Sequence, residues 1–327
     1  MPRLLFFLIL TLVGCQKKED RLLHIYSSLD AKESREIVES YEKASGERLL
    51  FVRLSTGEVL ARIRNETSNP QVAVWIGGGS NEHVIAGREG LLHPYQPKID
   101  YQTGPEFHGK EWEWNGWYKG IIGFASNTDF LKENDLKPPH SYRELLHPVY
   151  QGRVGMAYAY TSGTAYTVLA SLIQLMGEEK GFQYIRDLNR SVHHYNKSGS
   201  ACVTQAGLGE IAVCIAFAHD ILHKGIQQGY PLTISYPEEG TGYEVGAVSL
   251  IKNGPGLDRA KKFVDWLYSL ETQNLLSRWN HIPLHPKAEM TEQAKISNLS
   301  RLVSVDIYES AEQHNQLLSR WREVTGQ

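Results

Sequence analysis

Apolar positions along this chain follow two rhythms that alternate. A short run of mostly apolar residues gives way to a hydroxyl or glycine turn, and then to a stretch with apolar positions three and four apart. "LLHIYSSLDAKESREIVESYEKA" reads as strand, Ser27-Ser28, helix, and "RLLFVRLSTGEVLARIRNE" as strand, Ser55-Thr56-Gly57, helix. "QVAVWIGGGSNEHVIAGREG" repeats the unit, with residues 77–80 as its turn. Such alternation predicts a doubly wound parallel sheet with helices on both faces.

A further strand is expected at 120–125, after which a second set begins. "GRVGMAYAYTSGTAYTVLASLIQLMG" gives a strand, the turn Thr161-Ser162-Gly163-Thr164, and a long helix. Ser198-Gly199-Ser200 precedes a short helical stretch; then comes a strand over 211–217, which ends at His219 and Asp220 and leads into a helix over 221–228. "YEVGAVSLIKN" is a strand returning from this second set, and "LDRAKKFVDWLYSLETQNLLSRW" is an amphipathic helix in a mostly helical remainder. Two strand-like crossings, near 118–126 and 236–249, therefore join two α/β lobes into a hinged clamshell. Lobe 1 is expected to hold 22–119 and 246–327, with the last helices packed back on it, and lobe 2 to hold 120–245.

The start of the chain changes the picture of where this clamshell resides. Arg3 precedes a run from Leu4 to Val13 that suits a signal-peptide core and is too short for a stable membrane span. Leu12-Val13-Gly14-Cys15 then reads as a lipobox, so residues 1–14 are expected to be cleaved, Cys15 to be lipidated and 15–21 to form a stalk. A plain secretory signal with a chance cysteine is the alternative. The chain carries 34 Lys and Arg against 37 Asp and Glu. Without a basic run, it lacks the electrostatic footprint of a nucleic-acid binder. Cys202 and Cys214 are the other two cysteines; their spacing fits neither CxxC nor a metal site, and both a disulfide and two buried thiols stay open.

Candidate chemistry gathers where the strands end, because ligands of open α/β sheets bind beyond the carboxyl ends of the strands, near helix amino termini. Ser27, Ser28, Ser55, Thr56, Gly78, Gly79, Ser162, Gly163, Thr164, Ser198 and Ser200 offer hydroxyls and close backbone amides there. Helix capping accounts for each turn taken singly. Recurrence across both lobes points instead to a cradle for phosphate, phosphonate or sulfate oxygens. His219 and Asp220 either cap the next helix or hydrogen-bond a hydroxyl-bearing or cationic part of a ligand. Glu238, Glu239 and Glu244 lie on the other crossing and offer the same chemistry, with Glu238 and Glu239 also readable as a solvated turn. Trp112, Trp114, Trp117 and Tyr118 read as core or hinge packing, with stacking on a sugar face as the alternative. Enzyme motifs such as G-x-S-x-G, H-E-x-x-H and the P-loop do not occur, and His193, His194, His281 and His285 read as surface or capping residues.

From "LLHIYSSLD" to "ETQNLLSRWNHIPLHP" the chain resembles the periplasmic substrate-binding proteins of ABC importers, in their ferric-iron-binding type. "GEIAVCIAFAHD" looks like that family's strand before the main ligand loop, and "NTDFLKENDLKPPHSYRELLHPVYQGRVGMAYAYTSGTAY" looks like its passage into the second lobe. Iron-binding members place a tyrosine pair just after this strand, where Ala218, His219 and Asp220 stand here. That departure, with "YNKSGSA" and "EGTGYEVGAVSLIK", is similar to the branch that binds hexose phosphates.

The resemblance implies a type II periplasmic-binding-protein clamshell in which His219, Asp220 and Glu244, or Glu239 in its place, hold sugar hydroxyls. The hydroxyl and glycine turns would surround the phosphate. It further implies no cofactor, metal or catalytic residue, a monomer tethered on the periplasmic or cell-surface side by its lipid, and an ABC permease with its ATPase as partners. Receptors for 2-aminoethylphosphonate and for ferric ion are the alternatives within the class. A secreted phosphate-ester hydrolase using His219 and Asp220 as acid and base is the alternative outside it.

Overall fold

The computed structural model describes residues 22–99, 101, 104–298 and 301–327. The expected signal peptide, Cys15 and the stalk lie outside them. Among the described residues eleven strands follow in chain order: β1 Leu22–Ser27, β2 Arg48–Arg53, β3 Val74–Gly79, β4 Leu92–His93, β5 Asn115–Asn127, β6 Val154–Ala157, β7 Val192–Asn196, β8 Val213–Phe217, β9 Leu232–Ser235, β10 Tyr243–Ile251 and β11 Ile282–Pro283. The α-helices are α1 Ala31–Ser45, α2 Thr56–Asn65, α3 Ser80–Arg88, α4 Thr128–Glu133, α5 Gly163–Met176, α6 Glu178–Asn189, α7 Ala201–Gly207, the single turn α8 Ala218–Asp220, α9 Leu257–Leu267, α10 Leu270–Arg278, α11 Glu292–Asn298 and α12 Ile307–Thr325.

The strands run in the order β2-β1-β3-β10-β5-β8-β6-β7. β1 pairs in parallel with β2 and β3, as β6 does with β7 and β8. The sheet is nonetheless mixed, correcting the parallel sheet expected from the alternating pattern. β10 runs antiparallel to β3 and β5, and β5 antiparallel to β8. The reason is the connection: β5 is a single strand that pairs with β10 and β11 through its first half and with β8 and β9 through its second. One unbroken strand thus serves both lobes, and β10 brings the chain back against it.

Helices cover both faces of each half. Ile37, Phe263 and Leu276 pack on one face of lobe 1, and Val59, Leu60 and Val84 on the other. Phe182 and Leu169 cover one face of lobe 2, while Val203 and Ala206 cover the other. Trp114 and Trp117, fully buried, are core residues. A disulfide joins Cys202 on α7 to Cys214 on β8, which resolves the two readings of these cysteines.

α12, expected to pack back on lobe 1, contacts both lobes. Leu317, Leu318 and Trp321 enter the lobe 2 core, where Trp321 meets the rings of Tyr158, Tyr160 and Tyr195. Arg320 pairs with Glu178 and Glu179 on α6. Only the helix's first turns reach back, with Ala311 in a lobe 1 cluster. The amphipathic face of α12 thus meets α3 of lobe 1 as well as α6 and the tyrosines of lobe 2, so the helix straddles both lobes.

Candidate ligand-binding site

The loops after β1, β2 and β3 in lobe 1 face those after β6, β7 and β8 in lobe 2 across a cleft of about 500 Å³, counted to its mouth. The lobes touch at its rim. Gly57 N–H donates to Thr161 O at 3.3 Å, Arg53 Nη2 to Ser198 Oγ at 3.1 Å, and Lys224 Nζ meets Asp30 Oδ2 at 2.8 Å.

One end of the cleft is built from turns. Ser55 caps α2 in a capping box with Glu58, and Ser162 caps α5 through Ala165 N–H. Ser28, Thr56, Gly78, Gly163, Thr164, Ser198, Gly199 and Ser200 complete the wall. Gly78 has φ +82, and a Cβ there would strike Thr56 Oγ1 at 2.6 Å, so only glycine lets the turn lie this close to α2. The amino termini of α2 and α5 therefore present backbone N–H groups and partial positive charge to one place. Arg53 adds a full charge. Its guanidinium is fixed by Leu29 O at 3.2 Å, Ser55 Oγ at 3.4 Å and Ser198 Oγ.

Side chains that can titrate build the other end. His219 and Asp220 follow β8 on the single turn α8, and both line the cleft. Gly120 makes room for the imidazole, since a Cβ there would meet His219 Cε1 at 2.8 Å. The Phe217 ring stacks on His219 at 5.3 Å. Glu244, on β10, takes a 3.4 Å contact from the Tyr118 hydroxyl.

Burial dominates the electrostatics here. It pushes the Glu244 carboxyl well above the usual carboxylate range, helped by Asp220 and Glu82, and pushes the Tyr118 phenol far up as well. It holds His219 well below the ordinary histidine value, reinforced by His281. His219 is therefore a neutral imidazole near neutral pH, able to donate and accept, and Glu244 keeps its proton to a higher pH than an ordinary carboxyl. Asp30 is different: burial alone would raise its pKa, but Lys224 together with the backbone N–H groups of Lys32 and Glu33 outweighs burial and holds it low.

Several cleft residues escaped sequence reasoning. His281, expected as a surface or capping residue, is 1% exposed, and its ring lies 4.0 Å from that of His219. Its Nε2 approaches Glu33 Oε1 to 2.8 Å, out of line for a hydrogen bond, so both atoms keep unmet hydrogen-bonding capacity among the described residues. Burial lowers the pKa of His281 to about 3 and raises that of Glu33 well above its ordinary value. Arg53 and Lys224 were also missed. Lys224, four residues after Asp220, bonds Ser200 Oγ at 2.7 Å and stands 3.9 Å from Asp220 Oδ1.

Three expected contacts fall elsewhere. Ser27 is buried and satisfied by Ser34 Oγ at 2.8 Å, so it ties β1 to α1. Gly79 caps α3 and faces a second cavity. Glu239 accepts from Tyr142 N–H at 3.1 Å, which ties its turn to the lobe 2 core and leaves Glu244 as the cleft glutamate. The stretch after Asp220, expected as a plain helix, winds as a π-turn over Ile221–Gly225 and a 3-10 turn over Ile226–Gln228.

A two-lobed mixed α/β sheet with a polar cleft at the strand ends defines a solute-binding protein. Comparison with known proteins agrees: residues 86–310 match the family model described as bacterial extracellular solute-binding protein, and the chain belongs to that family. It is thus of the exported, periplasmic class that serves ABC importers. An uncharacterized protein of Haemophilus influenzae is 34% identical over 87% of this chain and 86% of its own length. The periplasmic binding protein AfuA from Actinobacillus pleuropneumoniae, solved with fructose-6-phosphate bound, superposes with a TM-score of 0.87 at 32% identity, covering 93% of this chain and 98% of its own. The major ferric iron-binding protein of Neisseria meningitidis is more distant, at 22% identity over 82% of each chain.

Proposed function

We propose that the cleft binds a phosphorylated sugar, a hexose phosphate, and that the protein delivers it to an ABC permease. The observation that carries this reading is the pairing of two chemistries in one cleft. Hydroxyls, two helix amino termini and Arg53 form an anion cradle at one end, and His219, Asp220 and Glu244 form a donor and acceptor set at the other. Glu33 and His281 line the same end of the cleft and add a carboxyl and an imidazole to that set. The likeness to AfuA with its fructose-6-phosphate supports the same reading.

Two alternatives fit less well. A ferric site needs phenolate oxygens, and the strand after which the family's tyrosines fall leads here into Ala218, His219 and Asp220, while burial keeps Tyr118 a neutral phenol. The ammonium of 2-aminoethylphosphonate needs ionised carboxylates. Burial disfavours the ionised form of Glu33 and Glu244, and Asp30 is matched by Lys224, so hydroxyls suit this end better.

In this reading no bond is made or broken. The ligand bridges lobe 1 and lobe 2 and shifts the open and closed populations, hinging on the crossings at β5 and β10. We further infer a monomer tethered through lipidated Cys15. A thermal-shift panel tests the ligand: glucose 6-phosphate or fructose 6-phosphate should raise the melting temperature more than glucose, phosphate, 2-aminoethylphosphonate or ferric citrate. A larger shift with any of the last four refutes the reading, and enzymatic release of phosphate from the hexose phosphates refutes pure binding.

A further inference from the structure

The fold itself spends the serine hydroxyls at the anion end of the cleft, and it spends them as acceptors. Ser28 Oγ accepts from the Trp75 indole N–H at 3.1 Å, Ser198 Oγ from Arg53 Nη2 at 3.1 Å and Ser200 Oγ from Lys224 Nζ at 2.7 Å. Ser55 Oγ takes Arg53 Nη1 and Ser162 Oγ takes the Ala165 N–H, each at 3.4 Å. One exchange within the set, between Ser198 and Ser200 at 3.4 Å, occupies a single one of these hydroxyl protons. Gly199 lets the loop before α7 lie against α5, since a Cβ there would come within 2.9 Å of Ser162 Oγ, so hydroxyls of both lobes surround one small space.

A hydroxyl carries one proton and two lone pairs. When an indole, a guanidinium or an ammonium fills a lone pair, the proton must point elsewhere, and in this wall the ligand is the acceptor within its reach. The same space receives the amino termini of α2 and α5 and the charge of Arg53, all positive. Carboxylates beside it are already engaged: Glu58 Oε2 by Ser55 N–H at 3.0 Å, and Asp30 by Lys32 N–H at 2.7 Å and by Lys224 Nζ at 2.8 Å. The anion end is therefore a set of donors, oriented by the protein before any ligand arrives.

We propose that the cleft selects a terminal phosphate monoester in its doubly ionised form, against the protonated monoanion and against phosphodiesters; this rests on the sugar-phosphate reading. The dianion presents three terminal oxygens that only accept, which matches the donors around them. The monoanion exchanges one acceptor for an O–H, whose proton would meet hydroxyl protons and the charge of Arg53 where a lone pair is needed. A diester brings two terminal oxygens and one charge, so it leaves donors unmatched. Ser198 and Ser200, held by Arg53 and Lys224, set this preference most strongly, because their partners carry full charges.

The test is calorimetric titration of the intact chain, from pH 8 to pH 5, with glucose 6-phosphate and with its phosphonate isostere, in which a methylene replaces the ester oxygen and raises the second pKa. Affinity for glucose 6-phosphate should fall about tenfold from pH 7 to pH 5, following the dianion fraction for a second pKa of about 6. With the phosphonate the midpoint should move up by the difference between the second pKa values of the two free ligands. Groups of the protein also face the ligand: Asp30, Arg53, Asp220, His223 and Lys224 around the anion end, and Glu33, Tyr118, His219, Glu244 and His281 beyond it. Titration of any of these would give both ligands the same midpoint, which overturns the proposal. The methyl diester of glucose 6-phosphate should bind at least about a hundredfold more weakly at pH 7, and equal affinity also overturns it. Failure of glucose 6-phosphate to bind at any pH rejects the sugar-phosphate reading and this inference with it, whereas binding with a shared midpoint rejects this inference alone.

Discussion

The two ends of the cleft solve recognition by opposite means. The proposed phosphate end distributes it over backbone amides and small hydroxyls, among them Ser55 and Ser162, which also cap helices, so these groups are fixed by the fold. The proposed sugar end concentrates it in His219, Asp220, Glu244, Glu33 and His281, of which Glu33, His219 and His281 keep buried polar atoms without a hydrogen-bond partner among the described residues. The first design is cheap in stability and tolerant of single losses. The second costs stability in the free protein and makes each group matter.

Acid should expose that cost most plainly. The pKa of His281 is about 3 in the folded chain against an ordinary value of 6.5, so the unfolded chain takes up its proton first. Its contribution is fully present above pH 6.5 and is lost as pH falls towards 3, by roughly 5 kcal/mol in all. Urea titrations at pH 7 and pH 4 should show this loss, and His281→Gln should reduce it. An unchanged pH dependence in the variant would separate acid sensitivity from the sugar end.

Binding should divide the two ends next. Asp220→Ala is expected to weaken glucose 6-phosphate about a hundredfold by calorimetry with the melting temperature nearly kept, since one carboxylate accepts from two hydroxyls. Arg53→Ala should weaken it about thirtyfold and flatten the salt dependence of binding, because the full charge at the phosphate end goes with it. Ser162→Ala should cost only about threefold, the share of one neutral hydrogen bond among many. A Ser162 effect as large as that of Asp220 would erase the contrast.

The same contrast governs what was legible in the sequence. Turns such as Ser55-Thr56 and Thr161-Ser162-Gly163-Thr164 were readable because strand, hydroxyl and helix are neighbours in the chain, and local rhythm places them. His219 and Asp220 were readable for the same reason. Glu33 and His281 come together only through packing, since α1 and the end of α10 are distant in sequence, and a lone histidine carries no local signal. Arg53 offered a faint one, a cation at the end of an otherwise apolar strand, and Lys224 another, at helical spacing from Asp220. The mixed sheet was hidden because direction is not written in periodicity: β5 and β10 read as strands whichever way they run. The place of α12 was likewise set by its partners, the tyrosines around Trp321, more than by its own amphipathic pattern.

Calorimetric titration of the intact chain with glucose 6-phosphate, glucose and inorganic phosphate in parallel tests the central claim, that one cleft recognises both halves of one molecule. The account predicts that glucose 6-phosphate binds at least about a hundredfold more tightly than either fragment. Inorganic phosphate binding as tightly as the sugar phosphate would contradict it.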